Sequence, residues 1–234
     1  MKKIITTLCA AAFVLAANAD EKKGFVSIFD GKTLKGWNGD PKFWSVKDGA
    51  ITGTTTRENP TRGNTFIIWE GGKTANFVLE MEFKIQSGNS GIQYRSFKLP
   101  GNNDGWRIGG YQADFEAGER YSGILYGERF RGILSDRGFK TEWTTVDGKV
   151  QKKRTQFGDS KKIGQAIKKG EWNHYRIVAE GYQFVHFINE VKTTHFIDND
   201  TKNHRKDGLL ALQLHAGPPM VVQFRNIRIK HLKK

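Results

Sequence analysis

Cysteine is almost missing from this chain of 234 residues: Cys9 is the only one. That excludes a disulfide framework and a multi-cysteine metal site. Proline is scarce, with five in the chain, and no Pro-rich or low-complexity stretch divides it. No segment is apolar for the roughly 20 residues that a membrane-spanning helix needs. Several catalytic signatures are missing too. There is no H-E-x-x-H, no G-x-S-x-G, no phosphate loop and no cluster of Cys and His, so serine-nucleophile chemistry has no visible support.

Acidic charge is also in short supply, with 24 Asp and Glu against 38 Lys and Arg, a net charge of +14. Such an excess attracts anions of every kind, nucleic acid among them. The N-terminus argues against that partner. Lys2 and Lys3 precede a mostly apolar or small run, Ile4 to Leu15, and Ala17, Asn18 and Ala19 form an A-x-A cleavage site before Asp20. This reads as a secretory signal peptide over residues 1–19, leaving residues 20–234 as one exported domain, periplasmic or secreted. Leu8, directly before Cys9, is not the small residue of a lipoprotein signal, so no lipid anchor is expected. The leader takes Cys9, Lys2 and Lys3 with it, and the net charge becomes +12 because no acid precedes Asp20. Nucleic acid is mostly absent outside the cytoplasm, so the positive charge reads as a solvated surface.

What is present is strand after strand. In "FVLEMEFKI" the apolar Phe77, Leu79, Met81, Phe83 and Ile85 alternate with Val78, Glu80, Glu82 and Lys84, the period of a half-buried strand. "GIQYRS", "WNHYRIVAEG", "YQFVHFIN", "LLALQLHA" and "VVQFRNIRI" read alike, with Gly, Asn and Asp turns between them. Only "SKKIGQAIKK" suggests a short turn of helix. Many short strands with regular turns imply an all-β sandwich. Its expected core holds Phe77, Leu79, Met81, Phe83, Ile92, Tyr94, Leu210, Leu212 and Leu214. Residues 131–170 read as an insertion carrying a basic hairpin on the Asp147–Gly148 turn, either lining a groove or merely solvated.

The stretch "GYQADFE", residues 110–116, carries the functional signal. Tyr111, Ala113 and Phe115 face a core, so Gln112, Asp114 and Glu116 share the other face. The same parity sets Gln93 and Arg95 opposite Ile92 and Tyr94, and Gln213 and His215 opposite the leucines of "LLALQLHA". If these strands are neighbours, one concave face collects all seven polar groups. Amides, carboxylates, a guanidinium and an imidazole together suit a polyhydroxylated ligand. His174, His186, His195 and His204 have plain surface or strand readings, and His231 sits in the basic tail. Trp106 and Trp143 read as loop residues able to stack on a sugar ring.

"GFVSIFDGKTLKGWNG", "FWSVKDGAITG", "NSGIQYRS", "GYQADFE", "SGILYGE", "GEWNHYRIVAEG" and "GLLALQLHAGPPMVVQFRNIRI" together resemble the 3-keto-disaccharide hydrolase domain family, from about Gly24 to Ile229. The resemblance implies a concanavalin A-like jelly roll of two antiparallel sheets, and action on glycosides already oxidised at C3. Gln112 departs from it, standing where the family usually has glutamate. So does Asn189-Glu190, in place of an Asn-Gly turn. In such chemistry the C3 carbonyl acidifies the C2 proton, a base removes it, the C1 substituent leaves by β-elimination and water adds back. That route asks for a base, a cation near the C3 oxygen and an acid for the leaving oxygen. His215 or Glu116 would be the base, and Arg95 or a divalent cation held by Asp114, Glu116 and His215 the electrophile. Asn89, Gln93, Gln112, Asp114, Tyr126, Arg131 and Gln213 would contact the sugar, with Tyr126 and Arg131 in a roof over the groove. Two other classes compete: a non-catalytic carbohydrate-binding module and a polyanion-binding surface protein.

Overall fold

The computed structural model describes residues 23–100 and 105–233. The expected leader, its cleavage site and Cys9 lie outside the described residues.

The strands run in chain order as β1 (Val26–Ser27), β2 (Trp37–Asn38), β3 (Trp44–Lys47), β4 (Ala50–Thr55), β5 (Thr65–Trp69), β6 (Phe77–Ile85), β7 (Asn89–Lys98), β8 (Ile108–Glu116) and β9 (Leu125–Glu128). They continue as β10 (Gly132–Ser135), β11 (Phe139–Val146), β12 (Lys149–Gln156), β13 (Asn173–Glu180), β14 (Gln183–Ile188), β15 (Val191–Asn199), β16 (Leu209–Leu214) and β17 (Met220–His231). One short helix, α1 (Ser160–Gly164), follows β12, and the Asp159 side chain accepts from the Lys162 N–H to cap it. The larger sheet has the order β12-β11-β15-β14-β13-β6-β17-β4-β3, with β1 on β17. The smaller has the order β10-β9-β8-β7-β16-β5-β2. Pairing is antiparallel except between β11 and β15. This is the β-sandwich that the alternation implied, with the jelly-roll form that the resemblance implied.

The apolar side chains of the central strands meet between the sheets. Phe77, Leu79, Met81 and Phe83 of β6 are buried, as are Ile92 and Tyr94 of β7 and Leu210, Leu212 and Leu214 of β16. Phe83 from the larger sheet meets Phe115 of β8 with ring centroids 4.0 Å apart. Such aromatic pairs add about 0.5–1.5 kcal/mol to the burial itself.

Of the readings given to His186 the strand one holds: it lies on β14, buried between the sheets, its Nε2 3.0 Å from the Tyr94 hydroxyl and its Nδ1 3.3 Å from that of Tyr175. Burial pulls its pKa down to about 3, so the ring stays neutral. Trp143 is not in a loop. It lies on β11, buried, edge-on to Phe196, with the Lys152 ammonium over its exposed side.

The basic hairpin forms as expected. β11 and β12 join through Asp147 and Gly148, both at positive φ, the geometry of a type I′ turn. Every residue of β12 is exposed, and its lysines and arginine guard the sheet edge against pairing with another chain. The hairpin extends the larger sheet and does not line the groove described below.

The β14–β15 turn carries strain. Asn189 and Glu190 have φ of 48° and 64°, and the second has no glycine to relieve it. Glu190 is exposed, so its pairs with His174 (2.6 Å) and Arg176 (3.5 Å) contribute little. Glu190→Gly is therefore expected to stabilise the fold by up to about 1 kcal/mol. That corresponds to roughly 2–4 °C in Tm for a chain of this size. Calorimetry checks it, and a fall in Tm would show that the ion pairs outweigh the backbone term.

Candidate active site

The outward face of the smaller sheet is polar on one side and apolar on the other. β8 presents Gln112, Asp114 and Glu116, and β9 beside it presents Tyr126 and Glu128. β7 contributes Asn89, Gly91 and Gln93, and β16 contributes Gln213 with His215 just beyond its end. The register confirms their adjacency: Gln93 pairs Gln112, Gln112 pairs Tyr126, and Gly91 pairs Asp114.

A chain of amides runs toward Asp114. Ser96 Oγ donates to Gln93 Oε1 at 2.7 Å, and Gln93 Nε2 donates to Gln112 Oε1 at 2.6 Å. Gln213 Nε2 donates to the same oxygen at 3.0 Å. Gln112 Nε2 then donates to Asp114 Oδ1 at 2.6 Å, while Asn89 Nδ2 donates to Oδ2 at 3.2 Å. Gly91 makes this possible. A Cβ at that position would collide with the Gln112 side chain, which lies across the bare backbone to reach Gln213.

The row borders a cavity of about 620 Å³, lined on the sheet side by Asn89, Gln112, Asp114, Glu116 and His215. Tyr121, Tyr126, Glu128 and the β9–β10 turn form its other wall. Asp114 is 5% exposed. Burial, reinforced by the charges of Glu116 and Glu128, pushes its pKa up to about 8 against the two hydrogen bonds that favour ionisation. Its carboxyl thus carries a proton near neutral pH. Glu116 is engaged differently: its Oε1 accepts from the backbone N–H groups of Arg120 (2.6 Å) and Tyr121 (2.9 Å), which organise the β8–β9 loop. His215 Nδ1 lies against the Ala216 carbonyl, and Asn64 Oδ1 accepts from the Ala216 N–H at 3.0 Å, fixing the turn. A proton on Nδ1 leaves the Nε2 lone pair free, and no partner holds Nε2 among the described residues.

Five of the expected residues therefore border the cavity from the sheet, and Tyr126 faces them. Gln93 and Gln213 are on the correct face but fully buried, and they serve the amide chain instead of the cavity. Two expectations fail. Arg95 is not on this face. Its φ is 46°, inside a register shift between Tyr94 and Phe97, so strand parity breaks there. Its guanidinium turns inward, donates to the carbonyls of Ala75 (2.6 Å), Gly181 (2.7 Å) and Arg205 (3.1 Å), and lies over the Phe184 ring. Arg131 does not roof the groove either. Its guanidinium pairs with the buried Asp198 and Asp200 and lies over the Phe130 ring.

The cation site proposed for Asp114, Glu116 and His215 does not fit. No three described His, Asp or Glu side chains converge as ligands, and Glu116 spends one oxygen on two backbone N–H groups. Sequence reading missed Asn64, Tyr121 and Glu128. Glu128 is buried and its Oε1 accepts from Asn64 Nδ2 at 3.1 Å across the cavity mouth. Parity in "LYGE" could have found it, because Tyr126 and Glu128 share a face. Asn64 lies in a loop and carries no such signal.

The comparisons agree with the architecture. A 3-keto-disaccharide hydrolase of Bacteroides thetaiotaomicron is 40% identical over 83 residues, covering 30% of this chain and 27% of that protein. The match thus spans about a quarter of that relative's length. A provisionally named glycosyl hydrolase of Parabacteroides distasonis superposes with a TM-score of 0.58 at 19% identity, covering 99% of this chain and 100% of the other. The carbohydrate-binding module CBM66 of Bacillus subtilis gives 0.50 at 14% identity, with 83% and 95% covered. These likenesses carry the fold. The model of the 3-keto-alpha-glucoside-1,2-lyase-like domain matches residues 24–230, and by that match the chain belongs to this family.

Proposed function

We propose that the chain cleaves 3-keto-glycosides in this groove by C2 proton abstraction, β-elimination and hydration. One observation carries the reading. A buried carboxyl, Asp114, keeps its proton near neutral pH in a cavity of ligand size that is also lined by an imidazole with a free nitrogen. His215 Nε2 takes the C2 proton. The C3 oxygen gathers the enolate charge against neutral donors, the Tyr126 hydroxyl and the second N–H of Asn89. The C1–O bond breaks as Asp114 gives its proton to the leaving oxygen. Water then adds across C1 and C2, hydroxyl to C1 and proton to C2, for a net hydrolysis. Glu116 holds the loop and Arg95 has no part.

The test is single-turnover assay of a 3-keto-glucoside in D₂O. Deuterium at C2 of the recovered sugar is expected, since hydration rebuilds that bond from solvent. Full release without deuterium would point to direct displacement at C1. His215→Ala is expected to lose about 10²- to 10⁴-fold in rate. Glu116→Gln keeps the oxygen that the two N–H groups need and should stay within about tenfold of the parent. Binding of unoxidised sugar without any turnover would favour a carbohydrate-binding module, a reading that the buried amide row also suits.

A further inference from the structure

We propose that a second cavity, beside Trp106, is a sugar subsite that holds the leaving ring of the substrate cleaved in the neighbouring groove; this rests on the cleavage reading above. Gln213 pairs directly with Phe66 of β5, so the polar row ends where an apolar patch begins on the same face. Phe66, Ile68, Ile108 and Ala211 form that patch, and Trp106 packs on it. Trp106 is tethered twice: its Nε1 donates to Asn38 Oδ1 at 2.7 Å, and its carbonyl accepts from the Phe66 N–H at 3.1 Å.

The indole also borders a cavity of about 390 Å³ with Phe43, Asp40, Asn59, Thr61 and Arg62. Aromatic rings beside short polar side chains match the alternating C–H and hydroxyl faces of a pyranose. One group there lacks a partner. The Thr61 hydroxyl is closed to solvent and has no hydrogen bond among the described residues, and a χ1 rotation toward the cavity would let a sugar hydroxyl satisfy it. Asp40 gives one oxygen to the Lys42 N–H at 2.9 Å and keeps the other. One short segment borders both cavities. Gly63 and Thr65 line the second, while Asn64 between them lines the first. A glycoside crossing Asn64 would therefore place its oxidised ring at Asp114 and His215 and its other ring at Trp106.

Trp106→Ala and Thr61→Val separate this role from support of the fold. The probes are a 3-keto-disaccharide and methyl 3-keto-glucoside, which lacks the second ring. For Trp106→Ala, kcat/KM on the disaccharide is expected to fall on the order of tenfold, with the methyl glycoside little changed. Thr61→Val, which keeps the shape of the side chain, should show a smaller loss with the same selectivity. Equal losses on both probes, or no loss on either from both variants, would overturn the subsite. If the parent protein turns over neither probe, the cleavage reading fails, and calorimetric titration with the unoxidised disaccharide decides the subsite separately. Binding that Trp106→Ala weakens supports it; no binding, or binding that neither variant alters, overturns it.

Discussion

Asp114→Asn is expected to remove about 10²- to 10⁴-fold of the turnover while making the protein more stable, increasingly so as pH rises. The loss follows from the role of the carboxyl: an amide has no proton to give the leaving oxygen. The gain follows from linkage. The folded-state pKa is about 8, against 3.8 for an ordinary Asp. Below pH 3.8 folded and unfolded chains both hold the proton, and burial of the group costs nothing by this route. Between 3.8 and 8 the unfolded chain releases a proton that the folded chain keeps. Stability is therefore full below the unfolded pKa, is lost as pH rises through the folded value, and levels off above it. Asparagine is neutral throughout, keeps the Gln112 bond, gives up the longer one from Asn89 and escapes the penalty. Tm of the variant should match the parent near pH 4 and exceed it by several degrees at pH 8, for a penalty on the order of a few kcal/mol. The parent's activity should also decline above pH 8 as Asp114 ionises. A stability advantage over the parent that is no larger at pH 8 than at pH 4 would show that Asp114 is ionised in the fold.

Parity carried the sequence reading where strands are regular. "FVLEMEFKI" and "LLALQLHA" each placed their apolar side chains in the core, and "GYQADFE" placed Gln112, Asp114 and Glu116 on one outward face. Alternation is a local rule that an unbroken ladder preserves. It fails at a bulge, and "IQYRS" gives no warning of one. A single left-handed residue at Arg95 sends its long side chain to the other side of the sheet. Adjacency is a different matter. β16 lies beside both β7 and β5 through contacts far apart in sequence, and no residue pattern announces that order. The amide chain from Gln93 to Asp114 was therefore legible as a set of residues and not as a path. The elevated pKa of Asp114 depends on burial by loops whose course the sequence does not reveal.

Arg131→Ala is expected to destabilise the fold by about 3–5 kcal/mol, one of the largest effects of any single polar substitution here. The guanidinium sits between two carboxylates. Its Nη1 donates to Asp198 Oδ1 at 3.0 Å and to Asp200 Oδ2 at 3.1 Å, and its Nη2 meets Asp198 Oδ2. The Asp198 and Asp200 side chains are 0% and 1% exposed. The Tyr111 hydroxyl also donates to Asp198, and Phe130 and Trp143 stack near the cation. Removing the arginine leaves two buried carboxylates facing each other without a counter-charge, so the cost is their desolvation and mutual repulsion, not the loss of one bond. Tm should fall by roughly 6–20 °C. Adding Asp198→Asn and Asp200→Asn to Arg131→Met should recover most of that, because a neutral, well-packed replacement of a buried ion cluster is often no less stable. Had Arg131 been a contact to the sugar, alanine would raise KM and leave Tm in place. Thermal melting and kinetics of the same variant therefore decide between the two roles, and an unchanged Tm would sink the structural one.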